Sequence, residues 1–241
     1  FVGQNEASIG ASGPTSASGS VQGGTYVGGY VGRSYSTITN ARATGTVLGN
    51  TAVGGFVGYI SSTTISNSTA ENLVVGTYGV KGSSQVGGFA GYLYDSTVTG
   101  STSNTNVVGL GSENGGFIGR MDYGSVNTSG SFGTVTGLSY TGGFVGNMTN
   151  SATITTSFAN SNVTATGNYA GGFVGYFNTY NNITNSRAAG SVTGTAYVGG
   201  FVGLMTYSGG ISASYATGKV NASGDGAGGF LGFSNDTVYT R

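Results

Sequence analysis

Cysteine, histidine and tryptophan are absent from this chain, proline occurs once, and only 6% of its 241 residues are charged. Each absence removes a class of chemistry. Without His or Cys there is no Ser–His or Cys–His nucleophile pair and no imidazole or thiolate metal ligand, and no disulfide framework can staple the fold. Seven basic residues balance seven acidic ones, which argues against nucleic acid as a partner, because phosphate binding needs a clustered surplus of Lys and Arg. No run of about 18 apolar residues is available to span a membrane as a helix. The chain opens Phe1-Val2-Gly3, with neither an initiator Met nor a basic-then-apolar leader, and is read as processed or as an excerpt of something longer.

What the chain has in quantity is glycine, 50 residues, together with 37% hydrophobic and 12% aromatic residues that recur in register. Disorder is disfavoured by that recurrence. A glycine-glycine-aromatic-apolar-glycine block marks each repeat. Its aromatic residues are Phe1, Tyr30, Phe56, Phe89, Phe117, Phe144, Phe173, Phe201 and Phe230, separated by 29, 26, 33, 28, 27, 29, 28 and 29 residues. A second landmark is an Ile or Val followed nine residues later by a valine: Ile38 and Val47, Ile65 and Val74, Val98 and Val107, Val126 and Val135, Ile154 and Val163, Ile183 and Val192, Ile211 and Val220. Ile9 and Val21 form the same pair with three extra residues around Pro14.

Aromatic to Ile, Ile to Val and Val to the next aromatic are near-equal segments, each long enough for a short strand and a turn. One repeat is longer in its last segment, around Thr77 to Gly82. The period lacks a helical 3.6 pattern and is too short for a propeller blade. It predicts an all-β chain, a single β-solenoid over residues 1–241, with coils of about 28 residues, three short strands per coil, and eight to nine coils beginning near the nine aromatic positions. Ser186, Ala188, Gly190 and Val192 alternate onto one face, with Arg187, Ala189 and Ser191 turned to water. Stacking would align a Phe ladder, an Ile/Val ladder and a Val ladder inside the rod, and bury an edge that no coil could bury alone.

The run Gly171-Gly172-Phe173-Val174-Gly175, followed by Ile183-Thr-Asn-Ser186 and Val192-Thr-Gly194, resembles the GLUG repeat, with Phe where that motif usually has Leu. The resemblance extends over essentially the whole chain. It implies a secreted or cell-surface location and a repetitive stalk or adhesive role, since the family occurs in bacterial and archaeal surface and secreted proteins. It transfers no catalytic residue.

Several surfaces are candidates for function. Strict alternation within the glycine block turns Val57, Val145, Val174 and Val202 away from the Phe side, with Tyr59 and Tyr176 beside them. This apolar stripe predicts a lateral interface with another copy, unless that corner of the coil is narrow and both sides point inward. Asp95 and Asp122 fall five or six residues after their phenylalanines and are read as equivalent loop carboxylates that could approach to glycosidase range, but Glu6 and Asp236 occupy the same loop in other coils, as scattered solvated charges would, and that is the favoured reading. Seven Asn-x-Ser/Thr sequons, at Asn67, Asn127, Asn147, Asn162, Asn182, Asn221 and Asn235, offer acceptors for glycosylation in a secreted protein. Threonine ranks beside the Val ladder would suit ice binding, but Leu48, Val108 and Lys219 interrupt them. The leading reading is an extracellular structural protein that builds a stalk or filament by end-to-end stacking, without catalysis, cofactor or metal. The alternative is an adhesin segment that binds glycans or a host surface protein. Ice binding and a polysaccharide-acting enzyme follow behind. The partners so implied are other copies of the chain and surface glycans.

Overall fold

The computed structural model describes residues 2–10, 13–71, 78–207 and 209–235. Among these the chain forms strands and turns without a helix, wound into coils stacked so that strands pair in parallel with their equivalents in the coils before and after. Parallel pairing follows from the repeat itself, because each coil returns the chain to the same place one level up. The coil is cut more finely than the spacing predicts. It has five short strands instead of three, which build five parallel sheets of nine, seven, eight, eight and eight strands.

One coil serves for all. Sheet I takes Val174–Asn178, sheet II Asn182–Thr184, sheet III Arg187–Ala188, sheet IV Val192–Gly194 and sheet V Val198–Gly199. Backbone conformation explains the extra divisions. Asn185 (φ 51°) and its equivalents Asn67, Thr128, Thr156 and Ala213 are left-handed and put a corner between sheets II and III. Tyr140, Tyr169 and Tyr197 (φ 48°, 66° and 56°) turn the chain into sheet V. Outside glycine such residues cost roughly 1–2 kcal/mol each, so the packing of the coils must hold them.

Two buried clusters run up the rod. The larger holds the aromatic rank, the Ile rank and the small residues of sheet III. Tyr30, Phe56, Phe89, Phe117, Phe144, Phe173, Phe201 and Phe230 stack ring on ring at 4.8–4.9 Å, within 11° of parallel. It also contains a rank that the sequence reading does not single out: Ile60, Leu93, Met121, Met148, Phe177 and Met205 occupy one register position of sheet I. The smaller cluster lies between sheets IV and V and consists mainly of valines, among them Val53, Val86, Val135, Val163, Val192 and Val198. The inward assignment of Ser186, Ala188, Gly190 and Val192 holds, with Arg187 and Ala189 exposed.

Serine at the corner between sheets II and III has a specific task. The hydroxyls of Ser101, Ser129, Ser157 and Ser186 each donate to the carbonyl two residues earlier. Each also accepts the N–H of the serine one coil below: Ser68 to Ser101, Ser101 to Ser129, Ser129 to Ser157, Ser157 to Ser186. A corner leaves backbone groups without ladder partners, and buried groups of this kind need one. The serine rank supplies it.

The valine rank corrects the sequence reading in the longest repeat. Val80, fully buried, pairs with Val47 and Val107. Val74 lies outside the described residues, as does Phe1. The extra residues therefore enter ahead of the valine rank, between Glu71 and Val80, and Val80–Gly82 is a strand where the spacing predicts a loop. A Cβ on Gly82 would stand 2.8 Å from Val53 Cγ2 and 2.9 Å from Val86 Cγ2, so the position between sheets IV and V admits little else.

Candidate functional site

The apolar stripe expected on the outside is inside. Val57, Val145, Val174 and Val202 are completely buried in the same cluster as the phenylalanines. Tyr59 and Tyr176 part from them and are half-exposed. The reason lies in the glycines between them. A Cβ on Gly175 would come within 2.5 Å of Thr141 N, and one on Gly58 within 2.5 Å of Val27 N. Sheet V of the coil below thus lies directly against sheet I, backbone to backbone. A strand apolar on both faces is covered on both, and here the chain covers itself.

Asp95 and Asp122 are not equivalent. Asp122 pairs in register with Tyr94, the residue before Asp95. Asp122 is 3% exposed. One carboxylate oxygen accepts from Tyr92 Oη (2.6 Å) and from Arg120 Nε (3.1 Å), and the other accepts from the hydroxyl of Thr149. Arg120 also reaches Glu113 (3.5 Å), whose carboxylate accepts from Asn147 Nδ2 at 2.7 Å. Burial, then the hydrogen bond to Asp122, pushes the Tyr92 hydroxyl above the ordinary tyrosine value of 10.0. Asp122 is held in a structural network of donors, while Asp95 sits exposed on the neighbouring corner.

Of the sequon asparagines, Asn67, Asn127, Asn162, Asn182, Asn221 and Asn235 are exposed, whereas Asn147 is 6% exposed and tied to Glu113. The ranks beside the valines are interrupted, now with Lys81 among them. Ranks that are more regular over four coils flank the Ile rank on sheet II, all hydroxyls except the Asn127 amide: Thr64 and Ser66, Thr97 and Thr99, Ser125 and Asn127, Thr153 and Thr155. Thr-x-Thr around the Ile landmark is visible in the sequence and is the signal for these ranks.

The turn from sheet I to sheet II concentrates exposed groups. Tyr35, Tyr123, Tyr180 and Tyr207 lie on it and Tyr94 ends the strand that enters it, all between 37% and 65% exposed. Between residues 62 and 153 it holds an open groove of about 350 Å³, mostly polar, crossing four coils. Its floor is small, because a Cβ on Gly124 would strike Leu93 Cδ2 at 2.0 Å. Tyr123 forms one side, edge-on to Tyr94 at 5.8 Å. Asp95, Thr64, Thr97, Ser125 and Thr153 offer oxygens around it.

In comparison with known proteins, the family model of the GLUG motif fits residues 49–75. No curated protein and no solved structure matches the chain. The matched segment runs from sheet V through the glycine block and sheets I, II and III, and the other coils repeat its register strand for strand. The chain is a β-solenoid repeat protein that carries the GLUG motif.

Proposed function

We propose that this chain works as a rigid extracellular rod, a stalk or filament segment that spaces or displays what is joined to it. The observation that carries the reading is the unbroken stack of eight aromatic rings at 4.8–4.9 Å, from Tyr30 to Phe230. A core continuous along the axis resists bending between coils, and each coil offers the next an equivalent cross-section. Extension then needs only more coils, whether covalently continued or brought by another copy end-on in a heterologous, non-closing contact. The extracellular setting is supported by the GLUG resemblance and by a surface of neutral hydroxyl and amide groups with few charges. The reading assigns no catalysis to the chain, and the engagement of Asp122 by Tyr92, Arg120 and Thr149 favours that.

Electron microscopy of the protein at rising concentration, with immunogold labelling of the source cells, tests this proposal. Straight particles one solenoid wide and label on the cell exterior are expected. Flexible or globular particles, or label confined to the cell interior, would contradict it.

A further inference from the structure

The groove on the turn between sheets I and II has the chemistry of a sugar site, and we infer that it binds a neutral oligosaccharide laid along the rod axis. Three features of the groove itself choose this ligand class.

The lining is oxygen-rich and carries no Lys or Arg. An anionic ligand, whether phosphate, sulfate or uronate, would meet the Asp95 carboxylate with nothing to compensate it. A lipophilic ligand would leave the hydroxyls unpaired, which costs affinity. A metal ion would find a single carboxylate, far short of the oxygen set that calcium takes.

The polar groups are free to act. The Asp95 carboxylate and the hydroxyls of Thr64, Ser151 and Thr153 make no hydrogen bond to another described side chain, and Thr97 and Ser125 bond only to each other, at 2.9 Å. An ionised carboxylate is an acceptor only, with room for more than one donor, whereas each hydroxyl both donates and accepts. Vicinal sugar hydroxyls match that inventory. A peptide strand does not, because the adjoining strands of sheets I and II already have partners on both sides and offer no backbone edge to extend.

An aromatic wall completes the set. Tyr123 is 54% exposed and left-handed at φ 55°, and is braced edge-on by Tyr94. An exposed, braced ring whose hydroxyl has no hydrogen-bond partner among the described residues gives the C–H face of a pyranose a flat apolar contact at little cost in side-chain ordering. Four coils at about 4.8 Å spacing make the groove roughly 14 Å long, which fits several sugar units better than one. Farther along the same turn Tyr180 and Tyr207 stand 63% and 65% exposed beside a separate hollow. They provide an internal control.

The test titrates the 241-residue protein with neutral cello-, xylo-, malto- and chito-oligosaccharides, with oligogalacturonate and heparin fragments as anionic comparators. Tyrosine fluorescence, undisturbed by tryptophan, and ligand-observed NMR report binding. At least one neutral series should bind. Tyr123→Ala should weaken it about tenfold, while Tyr123→Phe keeps the ring and most of the affinity. Asp95→Asn should weaken it by a similar factor, and Tyr207→Ala should leave it unchanged, all with unaltered melting curves. Absence of binding by every neutral series, preference for the anionic fragments, or affinity indifferent to Tyr123→Ala and Asp95→Asn would each overturn the inference. None of these outcomes bears on rod assembly, so the two proposals fail separately.

Discussion

At the scale of single residues, the fold depends on groups whose work is invisible without their neighbours one coil away. Ser129 accepts the Ser101 N–H and donates to the Asn127 carbonyl. Ser129→Ala strands that buried N–H and should cost about 1–3 kcal/mol, read as a shift in the urea midpoint. Exposed Thr164→Ala should change it by under about 0.5 kcal/mol. The valines of the glycine block answer a second question. Val174→Asp places an unpaired charge in the main core and should destabilise the chain by at least about 3 kcal/mol. Combining it with Val145→Asp and Val202→Asp should unfold the coil instead of merely separating copies, as an outer stripe would require. Tyr92 adds a pH dependence. Its folded pKa lies above the unfolded value of 10.0, raised first by burial and then by the hydrogen bond to Asp122. The stability it contributes is therefore complete below about pH 10 and is lost as pH climbs through the folded value. Urea midpoints should fall between near-neutral and strongly alkaline buffer, and less steeply in Tyr92→Phe.

At the scale of elements, the second core carries a local fault. Asn114 and Thr141 pair with each other in sheet V, between ranks of Val and Ala, and both are fully buried. Asn114 Nδ2 reaches the Gly111 carbonyl, but Asn114 Oδ1 and Thr141 Oγ1 have no hydrogen-bond partner among the described residues. Thr141→Val keeps the shape and removes a buried hydroxyl, so it should stabilise the protein by about 1 kcal/mol, seen as a higher melting temperature. This is also the scale at which sequence and structure part. Period, parallel stacking and the Phe, Ile and Val ladders are legible because identical residues must meet at every level. The division into five strands is not, because it turns on left-handed corners occupied by Tyr, Asn, Thr and Ala, of which only Asn favours that conformation. Strict alternation misplaced Val174 for a related reason: Gly175 sits against the backbone of another coil, a contact between repeats that no single repeat announces. The groove was half legible. Its tyrosines and Asp95 are conspicuous in the sequence, but the register that puts Asp95 beside Tyr123 and away from Asp122 appears only once the coils are stacked.

At the scale of the whole molecule, length is additive in coils. Each coil closes on its Phe and the next begins in the same register, so coils can be inserted without remaking the fold. Small-angle X-ray scattering on a chain that carries residues 90–201 twice in tandem, four further coils, tests this most directly. The maximum dimension should grow by about 19 Å, four strand spacings, at unchanged cross-sectional radius and with the same parallel-sheet circular dichroism. A longer chain that keeps its original maximum dimension and widens instead, or that scatters as a flexible coil, would contradict the stacked-rod account.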